Sequence, residues 1–125
     1  MKKLPDSELE LMMIIWHSQG PVTRMDIEAK LDKSRDILPN TVLSFLSRLE
    51  DKGFIKKEKQ GKINYYSPLV DEDKYLQEEG KSIFKKMFGN SLSRFVTSLY
   101  DGNAIGEEDL TELRNMLDEM DDKKK

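Results

Sequence analysis

Residues 38–53 read LPNTVLSFLSRLEDKG, and residues 54–68, FIKKEKQGKINYYSP, follow at once. In the first stretch Val42, Phe45, Leu46 and Leu49 fall at i, i+3, i+4 and i+7, the spacing that gathers apolar side chains on one face of an α-helix. Pro39 suits the first helical turn, where its missing N–H would be unpaired anyway, and Gly53 stands where a left-handed C-terminal cap belongs. Turning about 100° per residue from Val42 puts Asn40, Ser44, Ser47 and Asp51 opposite the apolar stripe, with Thr41, Leu43 and Arg48 on its flanks. The second stretch predicts two short strands joined around Gln60-Gly61, with Ile63, Tyr65 and Tyr66 in the second and Pro68 at its end. A helix with a hydroxyl-rich outer face therefore runs straight into a lysine-rich hairpin.

Upstream, residues 4–21, LPDSELELMMIIWHSQGP, predict a first helix opened by Pro5, capped by Asp6 or Ser7 and stopped at Gly20-Pro21. Its stripe is set on Leu9, Met12, Met13 and Trp16; Leu11, Ile14 and Ile15 fall off it, so the helix should lie between two layers or two chains. Residues 22–33, VTRMDIEAKLDK, predict a short second helix in which Thr23 caps toward Asp26 and Met25 or Ile27 faces inward with Leu31. Downstream, a fourth helix carries Leu76, Ile83, Phe84, Met87 and Phe88 on one side. A fifth has Leu92, Phe95, Val96, Leu99 and Tyr100 in helical register, and after residues 101–106, DGNAIG, a sixth has Leu110, Leu113, Leu117 and Met120. The final DDKKK is expected to be a solvated end.

Three helices and a hairpin, with a short link between the second and third helices, is the order of a winged helix-turn-helix. The fold class is thus mainly α with a small β-hairpin wing, residues 1–70 forming the winged-helix unit and 71–125 a helical dimerisation region. A duplex major groove admits one α-helix, and a helix placed there must present short polar or basic groups on its outward side. Asn40, Thr41, Ser44, Ser47 and Arg48 supply them: Asn pairs with adenine, Arg with guanine, and Leu43 suits a thymine methyl. Lys56, Lys57, Lys59 and Lys62 of the hairpin, with Arg24 of the second helix, are placed to meet phosphates and release counterions. The alternative is a winged-helix protein-interaction module whose lysines only guard a strand edge.

Average charge alone would not suggest this partner, because 21 Lys and Arg stand against 24 Asp and Glu in 125 residues. Distribution does: residues 33–62 hold 8 basic and 4 acidic side chains, residues 89–125 hold 5 and 9. The absence of cysteine removes disulfides, thiolate metal sites and a Cys nucleophile. No metal-ligand spacing, phosphate-cradling glycine loop or nucleophile elbow is present, and the one histidine, His17, reads as a helix-end group beside Trp16. Neither a cofactor nor an enzymatic activity is expected. The longest apolar run, Leu11 to Trp16, cannot span a bilayer, and the start MKKLPDSELE lacks a signal peptide's apolar stretch, so the expected location is cytoplasmic without membrane insertion. The stripes on the fifth and sixth helices (Leu92, Phe95, Val96, Leu99, Leu110, Leu113 and Leu117) exceed what the first unit can cover. A second copy is the economical cover, since a two-fold homodimer would offer two recognition helices to a palindromic double-stranded operator.

Three blocks, LPDSELELMMIIW, NTVLSFLSRLEDKGFIKKEKQGKINYYSPLV and EEDLTELRNML, resemble the penicillinase and methicillin-resistance repressor family (the BlaI and MecI type) over nearly the whole chain. The most specific parts are Glu8 to Trp16 and the succession Thr41-Val42, Gly53-Phe54, Tyr65-Tyr66-Ser67. The resemblance implies a dimeric repressor on operators of β-lactam-resistance genes, with the family's recognition positions on Asn40, Thr41, Leu43, Ser44, Ser47 and Arg48. Relatives commonly carry Lys or Arg where Asn40 and Leu43 stand, so the operator sequence is not expected to transfer. It further implies a membrane sensor for β-lactam and a protease cutting an Asn-Phe bond in the dimerisation helix. This chain has no Asn-Phe pair; the aligned bond lies near Ser98-Leu99, where a cut would still strip off the pairing end. The family's copper-sensing branch uses C-terminal cysteines, which are lacking here.

Overall fold

The computed structural model describes residues 3–123 other than 33 and 35; Lys33 and Arg35 of the basic window and the last two lysines of the expected solvated end lie outside the described residues. Two compact units divide the chain, Met1–Glu79 and Gly80–Lys125. The elements run α1 (Asp6–Trp16), α2 (Arg24–Lys30), α3 (Pro39–Asp51), β1 (Ile55–Gln60), β2 (Ile63–Pro68), α4 (Glu72–Phe88), α5 (Leu92–Asp101) and α6 (Glu107–Lys123). Among the described residues, six helices and one antiparallel hairpin make the chain mainly α, as its sequence predicts. None of the described helices is long and apolar enough to cross a membrane.

The first unit closes around α1. Its buried row is Glu8, Leu11, Met12 and Ile15, so the stripe is rotated from the expected one: Leu9, Met13 and Trp16 are only half-buried. The helix is apolar round most of its girth, which leaves periodicity unable to choose the inner face. Neither Asp6 nor Ser7 caps it; Pro5 holds the N-cap position without a side-chain hydrogen bond, and Asp6 and Glu8 place negative charge on the first turn. Glu8 is buried, and Lys52 Nζ donates to its Oε1 at 2.6 Å.

α2 begins with the expected capping box: Thr23 Oγ1 accepts from Asp26 N–H and Asp26 Oδ2 from Thr23 N–H. Ile27, not Met25, faces the core. α3 starts with Pro39 at its first turn and buries Val42, Leu46 and Leu49. It stops in a Schellman arrangement, with Gly53 at φ +79°, Phe54 N–H donating to Leu49 O and Gly53 N–H to Glu50 O. This stop releases the chain directly into β1. The wing pairs Ile55 with Pro68 through Gln60 with Ile63, and Gly61 at φ +64° supplies the positive φ of its two-residue turn. Val22 exchanges both backbone hydrogen bonds with Tyr66, at 3.0 and 2.7 Å, so the loop before α2 adds a one-residue third strand that fixes the wing's root.

α4 contributes Tyr75, which lies off the apolar side expected of this helix, to this core: Tyr75 is 3% exposed and Leu76 46%. The Tyr75 ring meets Trp16 at 5.6 Å and Phe54 at 5.8 Å between centroids, and its hydroxyl accepts from Leu4 N–H at 2.9 Å. Trp16 Nε1 donates to Val70 O. His17 ends α1, as expected, and its Nε2 lies 2.8 Å from a Glu72 carboxylate oxygen.

In the second unit, α4 ends at Gly89 and Asn90, both of positive φ. Phe88 stacks on Phe95 at 4.9 Å with planes 6° apart. Ser91 caps α5 by accepting from Arg94 N–H. Asn103, at φ +62°, turns the chain toward α6, whose first turn is tied back by Tyr100 Oη donating to Glu107 Oε1 at 2.8 Å.

Candidate nucleic-acid interface

The face of α3 opposite Val42, Leu46 and Leu49 lies open. Asn40, Thr41, Leu43, Ser44, Ser47 and Arg48 are all exposed, and between Asn40 and Arg48 the helix carries no carboxylate. Ser44 Oγ donates back to Asn40 O at 3.1 Å. The side chains of Asn40, Thr41 and Ser47 make no hydrogen bond among the described residues. Arg48 has its guanidinium 5.9 Å from the centre of the Phe45 ring, which steadies a long side chain without using its donors on an acid. Its fork is left for a planar acceptor pair.

The wing separates its cations into two kinds. Lys56 pairs with Glu58 at 2.8 Å and Lys57 with Glu50 at 3.9 Å. Lys56 also holds the Glu58 carboxyl below its ordinary range, through a hydrogen bond and its charge. Lys59 and Lys62 are exposed and have no ion pair among the described residues. Those two are the wing's unpaired charges among the described residues. Arg24 donates through one guanidinium nitrogen to Glu28 at 2.8 Å, an arrangement that orients its remaining donors.

Arg24, Leu43 and Lys62 come together in one cleft of about 270 Å³, with Thr23, Met25, Ile63, Asn64 and Tyr66. Burial pushes the Tyr66 phenol above its ordinary value, and the Glu50 carboxylate adds to the rise, so this wall stays uncharged. Sequence reasoning missed Met25, Ile63 and Tyr66 as neighbours of the recognition helix. The Val22 to Tyr66 pairing that brings them there has no periodic signature.

In the second unit, a mainly apolar groove of about 310 Å³ is lined by Leu92, Phe95, Val96, Leu99, Ile105, Leu113 and Met116, together with Asp109 and Glu112. Of the expected pairing residues, Leu92, Phe95, Val96, Leu99 and Leu113 meet there; Leu110 and Leu117 do not line it. Ile105 and Met116 take their place, because the row of α6 turned to the groove is 109, 112, 113 and 116. Ser98, beside the aligned cleavage bond, is exposed and donates to Phe95 O at 2.7 Å; Leu99 is half-buried.

The penicillinase repressor family model matches residues 4–119. Among curated relatives, the penicillinase repressor of Bacillus licheniformis is 30% identical, covering 100% of this chain and 99% of its own. The methicillin resistance regulatory protein MecI of Mammaliicoccus sciuri is 29% identical over 92% of this chain and 93% of its own. Two solved structures align with part of the chain. The DNA-binding domain of the repressor BlaI is 33% identical, with a TM-score of 0.51, covering 60% of this chain and 94% of that one. Bacillus licheniformis BlaI in monomeric form, in complex with the blaP half-operator, is 31% identical, with a TM-score of 0.50, covering 59% and 89%. On a match to the family model over residues 4–119 and to a 30%-identical relative over the whole chain, with a winged helix shared with BlaI, this chain belongs to the penicillinase repressor family.

Proposed function

We propose that the protein is a homodimeric transcriptional repressor that binds a palindromic operator, of β-lactam-resistance genes in the first instance. In this reading α3 lies in the major groove, Asn40, Thr41, Ser44, Ser47 and Arg48 contact base edges, and Arg24, Lys59 and Lys62 contact phosphates. One observation carries it. From Asn40 to Arg48 the outward row of α3 carries no acid and, among the described residues, no side-chain hydrogen bond or ion pair apart from the bond of Ser44 to its own helix, and the unpaired Lys62 of the wing lines a cleft with Leu43 of that helix. The likeness to a BlaI structure holding a half-operator supports it.

The groove of α5 and α6 is the surface proposed to pair two copies. It is mainly apolar and open, with Asp109 and Glu112 also in its lining, and a closed two-fold pair would bury it twice over. Relief of repression by a sensor-linked protease cutting near Ser98-Leu99 would remove Leu99, Ile105, Leu113 and Met116 from the pairing face. The bond lies inside α5, so the helix must open before a protease can take it.

The test is binding of the full chain to its own upstream DNA and to random duplex across a range of salt. Phosphate neutralisation predicts log K falling with log salt by about 0.9 per contact, and a footprint should show two protected patches about one or two helical turns apart. A protein-interaction module would bind neither duplex.

A further inference from the structure

Three separate elements of the first unit leave apolar side chains open to solvent at one place. Met25 at the start of α2, Leu43 on the flank of α3 and Ile63 at the head of β2 line the same cleft, and they are 69, 41 and 51% exposed. Single exposed apolar residues are ordinary, but three converging in one concavity form a surface that favours an apolar partner group. The frame of the cleft is cationic: Lys62 and Arg24, the latter paired with Glu28, line it, and among the described residues no carboxylate does. The group that fits must therefore be small, apolar and set among negative charges.

The 5-methyl group of thymine has that description, since it projects from a base edge into the major groove between two rows of phosphates. We infer that the cleft reads one thymine in each half-site, with Met25, Leu43 and Ile63 enclosing its 5-methyl group while Arg24 and Lys62 meet flanking phosphates. The inference rests on the DNA-binding reading above and adds two specificity residues, Met25 and Ile63, that lie outside the recognition helix. Discrimination against cytosine at this position would come from apolar contact, with no hydrogen bond to a base edge.

The experiment uses a duplex enriched from a random-sequence pool by the full chain. Each thymine is replaced in turn by deoxyuridine, which removes one methyl group and no hydrogen-bonding atom. One position per half-site should lose about fourfold in affinity, the worth of one buried methyl. Leu43→Ser and Ile63→Ser proteins should show no difference between thymine and deoxyuridine there; both side chains are exposed, and circular dichroism checks that the fold is kept. A scan in which no thymine responds, or a loss that persists undiminished in both variants, overturns the thymine site while leaving DNA binding in place. Failure to enrich any duplex is instead the failure of the DNA-binding reading, and the thymine site falls with it.

Discussion

Lys52 Nζ lies 2.6 Å from Glu8 Oε1, joining the end of α3 to a carboxylate on α1 that is 3% exposed at its side chain. The contact crosses 44 positions of sequence and locks the recognition helix to the helix behind it. Lys52→Met would leave Glu8 buried without a counter-charge. Loss of one partner of a fully enclosed pair costs about 3 to 5 kcal/mol; because the Lys52 side chain is 31% exposed, water can partly replace it, and a loss of about 1 to 3 kcal/mol is expected. Urea unfolding of the single variant and of Glu8→Leu/Lys52→Leu measures it. The double variant should recover most of the loss, and equal losses in both would remove the pair from the account of stability.

Alkaline pH should weaken the first unit through its tyrosines. Burial pushes the Tyr75 phenol above the ordinary value of 10.0, against the opposing pull of the Leu4 N–H, and burial with the Glu50 charge raises Tyr66. In the folded state both phenols hold their protons to higher pH than in the unfolded chain, so above about pH 10 the folded state binds more protons. This contribution is complete below the unfolded value and is lost as pH rises through the folded ones. Denaturant midpoints taken from about pH 8 to about pH 11 should fall, and fall less steeply in Tyr66→Phe/Tyr75→Phe protein. Tyr75→Phe should also cost about 1 to 3 kcal/mol at neutral pH, because the buried Leu4 N–H loses its acceptor. An identical alkaline slope in the double variant would place the sensitivity elsewhere.

Arg48 and Lys62 should fail in different ways. Arg48, whose fork is free of acids, is expected to read a base; Arg48→Ala should cost about 1 to 3 kcal/mol on the preferred duplex and relax preference at one position. Lys62→Ala should weaken binding to all sequences alike and flatten the salt dependence by about one unit. Binding measured on preferred and random duplexes at several salt concentrations separates the two. Parallel losses on both duplexes from both variants would speak against base reading by α3.

The sequence shows the helix order, the Thr23 cap, the Gly53 stop and the two strands of the wing plainly because each depends on neighbours a few positions away. α3 is the clearest case: its stripe is narrow, and Val42, Leu46 and Leu49 are the residues it buries. α1 is the opposite, since with apolar residues on nearly every side only the positions of α2, α3 and Tyr75 decide that Leu11 and Ile15 go inside. Tyr75 itself was hidden because an aromatic ring that also carries a hydroxyl fits equally well on a helix surface; the Leu4 N–H and the Trp16 and Phe54 rings that hold it come from distant parts of the chain. The outward polar face of α3 was legible, yet the cleft beside it was not. That cleft depends on the single pairing of Val22 with Tyr66, which sets α2 against the wing.

The pairing of two copies makes the most exposed prediction. Leu92 is 62% exposed and lines the apolar groove with Leu113, so an aspartate at either place would put a charge where the proposed partner buries apolar surface, leaving it without a counter-ion. Leu113 is half-buried in the groove that α5 and α6 line together, so Leu113→Asp also disturbs the chain's own fold there, but Leu92→Asp changes a side chain that is mostly open to solvent. Both variants should sediment as monomers at concentrations where the unmodified chain is a dimer. With one recognition helix in place of two, operator affinity should fall far more than the thermal stability of the first unit, while the residual binding keeps its salt dependence per half-site. Sedimentation equilibrium with operator titration reads all three quantities. A Leu92→Asp protein that remains dimeric, or a monomer that binds the operator undiminished, would end the case for this groove as the pairing surface.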